Sequence, residues 1–155
     1  GKLTIASSNN TSQTPNGTQE SPKVTTEYKD NLPNQDISVG GNDIAVVTGT
    51  YGNVEVNGGV LKGTGTVRSA NLSGTSTIAP GLSPGTLTIL ETFTLGEMAT
   101  YEAEIQSLTA YDQLRVGESF SGGGNAVTLQ GTLSALAYEG FSINAGDAFT
   151  MFRPQ

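Results

Sequence analysis

The chain contains no cysteine, no histidine and no tryptophan. Without cysteine there is neither a disulfide framework nor a thiolate metal site. With histidine missing as well, the usual nucleophile–base pairs and zinc sites are excluded. Charge is scarce too: seven Lys and Arg stand against fourteen Asp and Glu, for a net charge of −7 and a pI near 4.3. Seven scattered bases cannot build a surface that tracks phosphates, so nucleic acid is not an expected partner. The acidity reads instead as solubility and repulsion between copies. No apolar run approaches the ~18 residues of a membrane span, and no signal-peptide pattern is present. The chain opens on Gly1-Lys2 rather than Met, as a processed product or excised fragment would.

What is present is glycine, serine, threonine and asparagine, with 21 Gly in 155 residues and only 35% hydrophobic residues. β-branched residues dominate the apolar positions, and glycines and prolines recur too often for a helix of ordinary length. This is the composition of an all-β chain of many thin strands. The organising stretch is Gly74-Thr-Ser-Thr-Ile-Ala-Pro-Gly-Leu-Ser-Pro-Gly-Thr-Leu-Thr-Ile-Leu90. It sets the Pro80-Gly81 and Pro84-Gly85 pairs between two β-branched runs. Each pair is expected to form a type II turn, in which Pro fixes φ and Gly supplies the positive φ that follows.

Two regions follow from composition. Residues 1–36 hold a short strand, Gly1–Ile5, and then a polar excursion rich in Ser, Thr, Asn and Pro, within which Lys23–Tyr28 is suited to an edge strand. Residues 37–155 carry closely spaced strand-like runs, from Ile37-Ser-Val39 through Thr132–Tyr138 to Ala148–Phe152, separated by Gly and Asn. Asn9, Asn10, Asn16 and Asn71 match the N-glycosylation pattern, which in so polar a chain arises by chance.

Two architectures accommodate such runs: a β-solenoid of stacked coils, or an antiparallel sandwich or jelly roll. The segment Gly59–Val67 favours the solenoid, because its strands of two to four residues are joined by one or two glycines. Val60, Val67, Leu72, Ile78, Leu87 and Ile89 are the expected inward residues, stacked coil on coil. Beyond Leu95 the strands lengthen, and Tyr101–Ile105 and Thr132–Tyr138 are expected to cap the C-terminal end or form a small antiparallel sheet there.

The order Val60-Leu-Lys-Gly-Thr-Gly-Thr-Val67, then Ala79-Pro-Gly-Leu-Ser-Pro-Gly-Thr-Leu-Thr-Ile89, resembles passengers of bacterial autotransporters. It is also similar to related surface proteins built from the autotransporter-associated β-strand repeat. The similarity continues through Phe93-Thr-Leu95, Tyr101–Ile105, Tyr111-Asp-Gln-Leu-Arg-Val116 and Leu129–Leu133 to Gly140–Thr150, covering residues 59 to 152. The resemblance implies the final coils of a right-handed parallel β-helix, export, an extracellular or bacterial cell-surface location, and a stalk or adhesive role. It brings no active-site residues.

Candidate chemistry is sparse. Glu102 and Glu104 fall on one face of their strand, as a carboxylate pair or as an ordinary solvated face. Asp43, in Gly40-Gly-Asn-Asp43, matches one fragment of a calcium-binding glycine-rich repeat but occurs once. Asp112 is better placed to satisfy backbone donors at a corner. Tyr28, Tyr51, Tyr101, Tyr111 and Tyr138 are candidates for sugar stacking, with core or rim packing the more economical account. No catalytic, cofactor-binding or metal-binding residue is therefore assigned, and no cofactor is expected. The leading function is a non-enzymatic structural or adhesive segment of an exported surface protein. Its expected partners are copies of itself through exposed strand edges, or host or matrix glycans or proteins. The alternatives are a carbohydrate-binding β-sandwich module and, third, a polysaccharide-active enzyme using Glu102 or Glu104.

Overall fold

The structure, a computed structural model, describes residues 2–4, 24–82, 84–117 and 127–154. All regular structure among them is β, and every strand pairing within the two sheets is parallel. One sheet of six strands holds β2 (Thr25–Tyr28), β5 (Ile44–Val47), β7 (Val60–Gly63), β9 (Thr77–Pro80), β12 (Thr100–Ile105) and β15 (Thr132–Ala137), stacked in that order. The ten-stranded sheet holds the remainder: β1 (Lys2–Thr4), β3 (Asn31–Leu32), β4 (Asp36–Gly40), β6 (Thr50–Asn57), β8 (Thr66–Ser73), β10 (Thr86–Ile89), β11 (Phe93–Leu95), β13 (Gln113–Val116), β14 (Val127–Leu129) and β16 (Phe152–Pro154). The chain alternates between the sheets from β2 onward, so each coil lays one strand on the six-stranded face and one longer path on the other. This is a parallel β-solenoid, and the sandwich alternative is overturned because spatial neighbours run in the same direction.

Partners on the six-stranded face run Thr25, Ile44, Val60, Thr77, Thr100 and Thr132, spacings of 19, 16, 17, 23 and 32 residues. Coils therefore lengthen toward the C-terminus by enlarging corners while the strands stay in register. The ten-stranded sheet is bent. In β8 the in–out alternation breaks at Arg68-Ser69, and in β6 Tyr51 and Gly52 are both buried. Other layers split at the same place, into β3 and β4, β10 and β11, or β13 and β14. The coil thus has three sides, and the core fills the space between them.

Columns of inward side chains form that core. On the six-stranded side Ala45, Leu61, Ile78 and Tyr101 stack in register and are buried. On the other, Val39, Val56, Leu72 and Leu95 do the same. Of the six residues expected inside, Val67, Leu72, Ile78, Leu87 and Ile89 are fully buried, whereas Val60 is only partly covered and Leu61 takes the inward place. Two adjacent aliphatics leave the parity of a short strand open locally, and a one-residue slip exchanges its faces. Here the neighbouring rungs Ala45 and Ile78 set it.

The corners depend on glycine at specific points. Gly63 has φ of +123°, and a Cβ there would lie 2.1 Å from the Val47 carbonyl oxygen of the coil below. The two Pro-Gly pairs differ. Gly81 has the positive φ expected of it, +91°, but Gly85 does not. A Cβ on Gly85 would come within 2.9 Å of the Gly81 Cα, so its role is close packing of one arm of the corner on the other.

At the C-terminal end β15 pairs with β12 in parallel over six residues, so no antiparallel end sheet forms there. The expected strand at Ala148–Phe152 begins only at Phe152. Residues before it are irregular because Phe149 packs edge-on against Tyr111 and Phe141, with centroids 5.3 and 6.5 Å away.

Candidate functional site

The bend in the ten-stranded sheet makes a re-entrant corner on its outer surface, and this corner holds an open cavity of about 530 Å3. Its floor is built from successive rungs: Asn53 pairs with Ser69, Glu55 with Asn71, and Asn71 in turn with Thr94. Polar side chains occupy these outward positions because their neighbours Val54, Ala70 and Phe93 turn inward. Asn71 donates its amide to Glu55 Oε2 at 2.9 Å, and the hydroxyls of Ser69 and Thr92 lie 3.1 Å apart.

Arg68 borders the cleft. Tyr51–Val67 and Asn53–Ser69 are rung partners, so Arg68 is level with Gly52, which offers no side chain. The guanidinium crosses that gap to reach Asn34 Oδ1 at 3.2 Å and the Pro33 carbonyl at 3.5 Å. Its Nε is 4.0 Å from Glu91, an exposed pair worth at most about 1 kcal/mol. The cleft therefore offers amides, hydroxyls, two carboxylates and one guanidinium to a polar ligand. It contains no aromatic face and no nucleophile–base pair.

None of these residues stands out one coil at a time. They are visible as a repeat: Ile44–Gly59 and Val60–Thr75 align at a spacing of 16, placing Thr-Gly-Thr beside Thr-Gly-Thr, Asn53 beside Ser69 and Glu55 beside Asn71.

The singled-out residues lie elsewhere and are not brought together. Glu102 and Glu104 project from the outer face of β12, half-buried, beside Ser134 and Leu136 of β15 and away from the cleft. Asp43 is buried, and its carboxylate accepts the Val24 N–H at 3.3 Å. No cluster of three or more Asp or Glu able to hold a metal occurs among the described residues. Asp112 is buried at a corner with its oxygens on the backbone N–H groups of Gly85 and Glu104, the structural role expected of it. Burial pushes its carboxyl above the ordinary value, partly offset by those two donors.

Tyr28, Tyr51 and Tyr101 are core residues, so no ring among these three offers a sugar-stacking face. Burial raises the Tyr28 hydroxyl to about 12 and raises that of Tyr101 as well, the latter donating to the Met151 carbonyl. Tyr111 packs on Phe149 and its hydroxyl accepts the Thr150 N–H at 3.1 Å. Asn9, Asn10 and Asn16 lie outside the described residues.

A second feature is the last layer. Leu133 continues the column of Ala45, Leu61, Ile78 and Tyr101, and Leu129 continues that of Val56, Leu72 and Leu95, yet they are 60% and 54% exposed. Among the described residues nothing pairs with the outer edge of β14 or β15. No helix among the described residues is long and apolar enough to cross a membrane. Comparison with known proteins finds no matching family model, no similar curated protein and no similar solved structure.

Proposed function

We propose that this chain is a structural or adhesive segment of an exported bacterial cell-surface protein, acting as a rigid stack rather than as a catalyst. The observation that carries the reading is the unbroken parallel register from β2 to β15 on the six-stranded face. Every layer rests on the one before it, so length is gained by repetition and outer side chains are held at fixed spacing. Nothing in the outer-face chemistry calls for a reaction, because the acids there are solvated singly or tied to neighbouring side chains. Its partners are copies of itself at the strand edges, or glycans or proteins of a host or matrix. Antibodies against the purified chain test the location: they label intact source cells if it is displayed, and labelling only after permeabilisation overturns it.

The corner cleft favours a second reading, glycan recognition by the solenoid face. Asn53, Asn71, Glu55 and Arg68 supply the donors and acceptors that sugar hydroxyls take. A glycan array probed with wild type and with Asn71→Ala measures it. Signal lost in the variant supports this reading, and a blank array removes it.

A further inference from the structure

We infer that the C-terminal end of the solenoid is a self-association surface that joins two copies tail to tail about a two-fold axis, through antiparallel pairing of β15 with β15 of the second copy. This deepens the self-partner part of the proposed function and rests on the stack alone, not on where the protein resides.

The end layer is built like an interior layer but is uncovered. Leu133, Ala135 and Ala137 are rung partners of Tyr101, Ala103 and Ile105, all three of which are buried. Their own upper surfaces face water, together with Leu129 and with Leu136, which is 46% exposed. An exposed strand edge is ordinarily protected by charge, proline or a bulge. This one has none of these: from Val127 to Tyr138 the sequence holds no charged residue and no proline. In a chain of net charge −7, most pairs of surfaces repel. The twelve neutral residues of the last layer are where a second copy approaches without that cost.

The geometry selects the two-fold arrangement. A coiled ramp is unchanged in hand by a half-turn about an axis across it, so two such ends meet as continuations of one another. A half-turn normal to β15 reverses its direction and keeps its inward face inward. Opposed residues in an antiparallel pair point to the same side, so Leu133 and Ala135 of each copy stay over the core. The end is also stepped. β16 already lies on β13, one layer above, while β14 and β15 carry nothing among the described residues. The half-turn exchanges the two sides of the bent sheet, setting the raised β16 of each copy over the open β14 of the other. Such an interface is isologous and closes at two copies, whereas head-to-tail stacking would give open fibres.

Sedimentation equilibrium of the full chain over a wide concentration range tests this. The expected result is a monomer–dimer equilibrium that stops at two chains. Leu133→Lys puts a charge on an already exposed position and should raise the dissociation constant by about tenfold or more. Leu129→Lys, on the neighbouring strand, should act in the same direction, and circular dichroism establishes that each variant is folded. Ser134→Cys, the sole thiol in the chain, should form a disulfide-linked dimer on mild oxidation, while Thr88→Cys in mid-stack should not. A wild type that stays monomeric, an assembly that grows past two chains, or a dimer indifferent to both lysines overturns the proposal. None of these outcomes bears on surface display, which the antibody experiment reads separately.

Discussion

Asp112 accepts the backbone N–H of Gly85 at 2.9 Å, fastening the loop after one strand of the six-stranded face to the loop after the next. Its second oxygen takes the Glu104 N–H, also at 2.9 Å. One buried carboxylate thus holds the Pro-Gly corner against the larger corner of the following coil, where coil length rises from 17 to 23 and then 32 residues.

Removing that carboxylate should destabilise the stack. Asp112→Ala leaves two buried N–H groups without their acceptor, at about 1–3 kcal/mol each. Asp112→Asn retains one acceptor and should cost less. Chemical denaturation of the three proteins measures the order, and an alanine variant as stable as wild type would show that the corner holds itself.

The same residue gives a pH dependence of known sign. Its folded carboxyl is raised, chiefly by burial, so the native state keeps the proton to higher pH than the unfolded chain does. Stability from this group is therefore present at acid pH and lost as pH rises through the raised value. Asp112→Asn cannot titrate. The gap in melting temperature between wild type and this variant should narrow as pH rises from the carboxylate range to neutrality. A gap that is constant or widens contradicts the assignment.

Tyr28 is 2% exposed, and its hydroxyl is buried without a hydrogen-bond partner, while its ring packs edge-on against Tyr51 at 5.4 Å. Tyr28→Phe removes an unsatisfied polar atom and keeps the ring, so it should stabilise by about 1 kcal/mol. Because the folded hydroxyl is raised from 10.0 to about 12, wild type should also lose stability over that interval as the unfolded chain ionises first. The phenylalanine variant should lose less, as alkaline denaturation would record.

Two glycines of similar sign of φ should respond differently to alanine. Gly63→Ala adds both left-handed strain and a Cβ 2.1 Å from the Val47 carbonyl, and should cost several kcal/mol or prevent folding. Gly140 also has positive φ, +89°, but a Cβ there meets nothing within 4 Å. Gly140→Ala should cost only the strain, about 1–2 kcal/mol. Equal losses would mean that packing between coils does not decide the outcome.

Much of the fold is legible in the residues because a solenoid states its rules locally. β2 was visible in Lys23–Tyr28, β12 in Thr100–Ile105 and the Gly81 turn in Pro80-Gly81, each from a handful of adjacent residues. The candidate cleft was not, because Asn53, Asn71 and Arg68 become neighbours only through register. The 16-residue repeat that would have revealed them is blurred by substitution at most positions.

The sequence by itself determined that the chain is built of short β segments with tight corners, that cysteine, histidine and tryptophan chemistry is absent, and that Asp112 belongs to a corner. Those properties depend on composition and on contacts within a few residues. Only the tertiary structure decided that Leu61 rather than Val60 turns inward, that Gly85 serves close approach instead of a left-handed turn, and that Leu133 ends an apolar column in water. Inward and outward are defined by the coils above and below, and a strand four residues long carries too little pattern to choose between them alone.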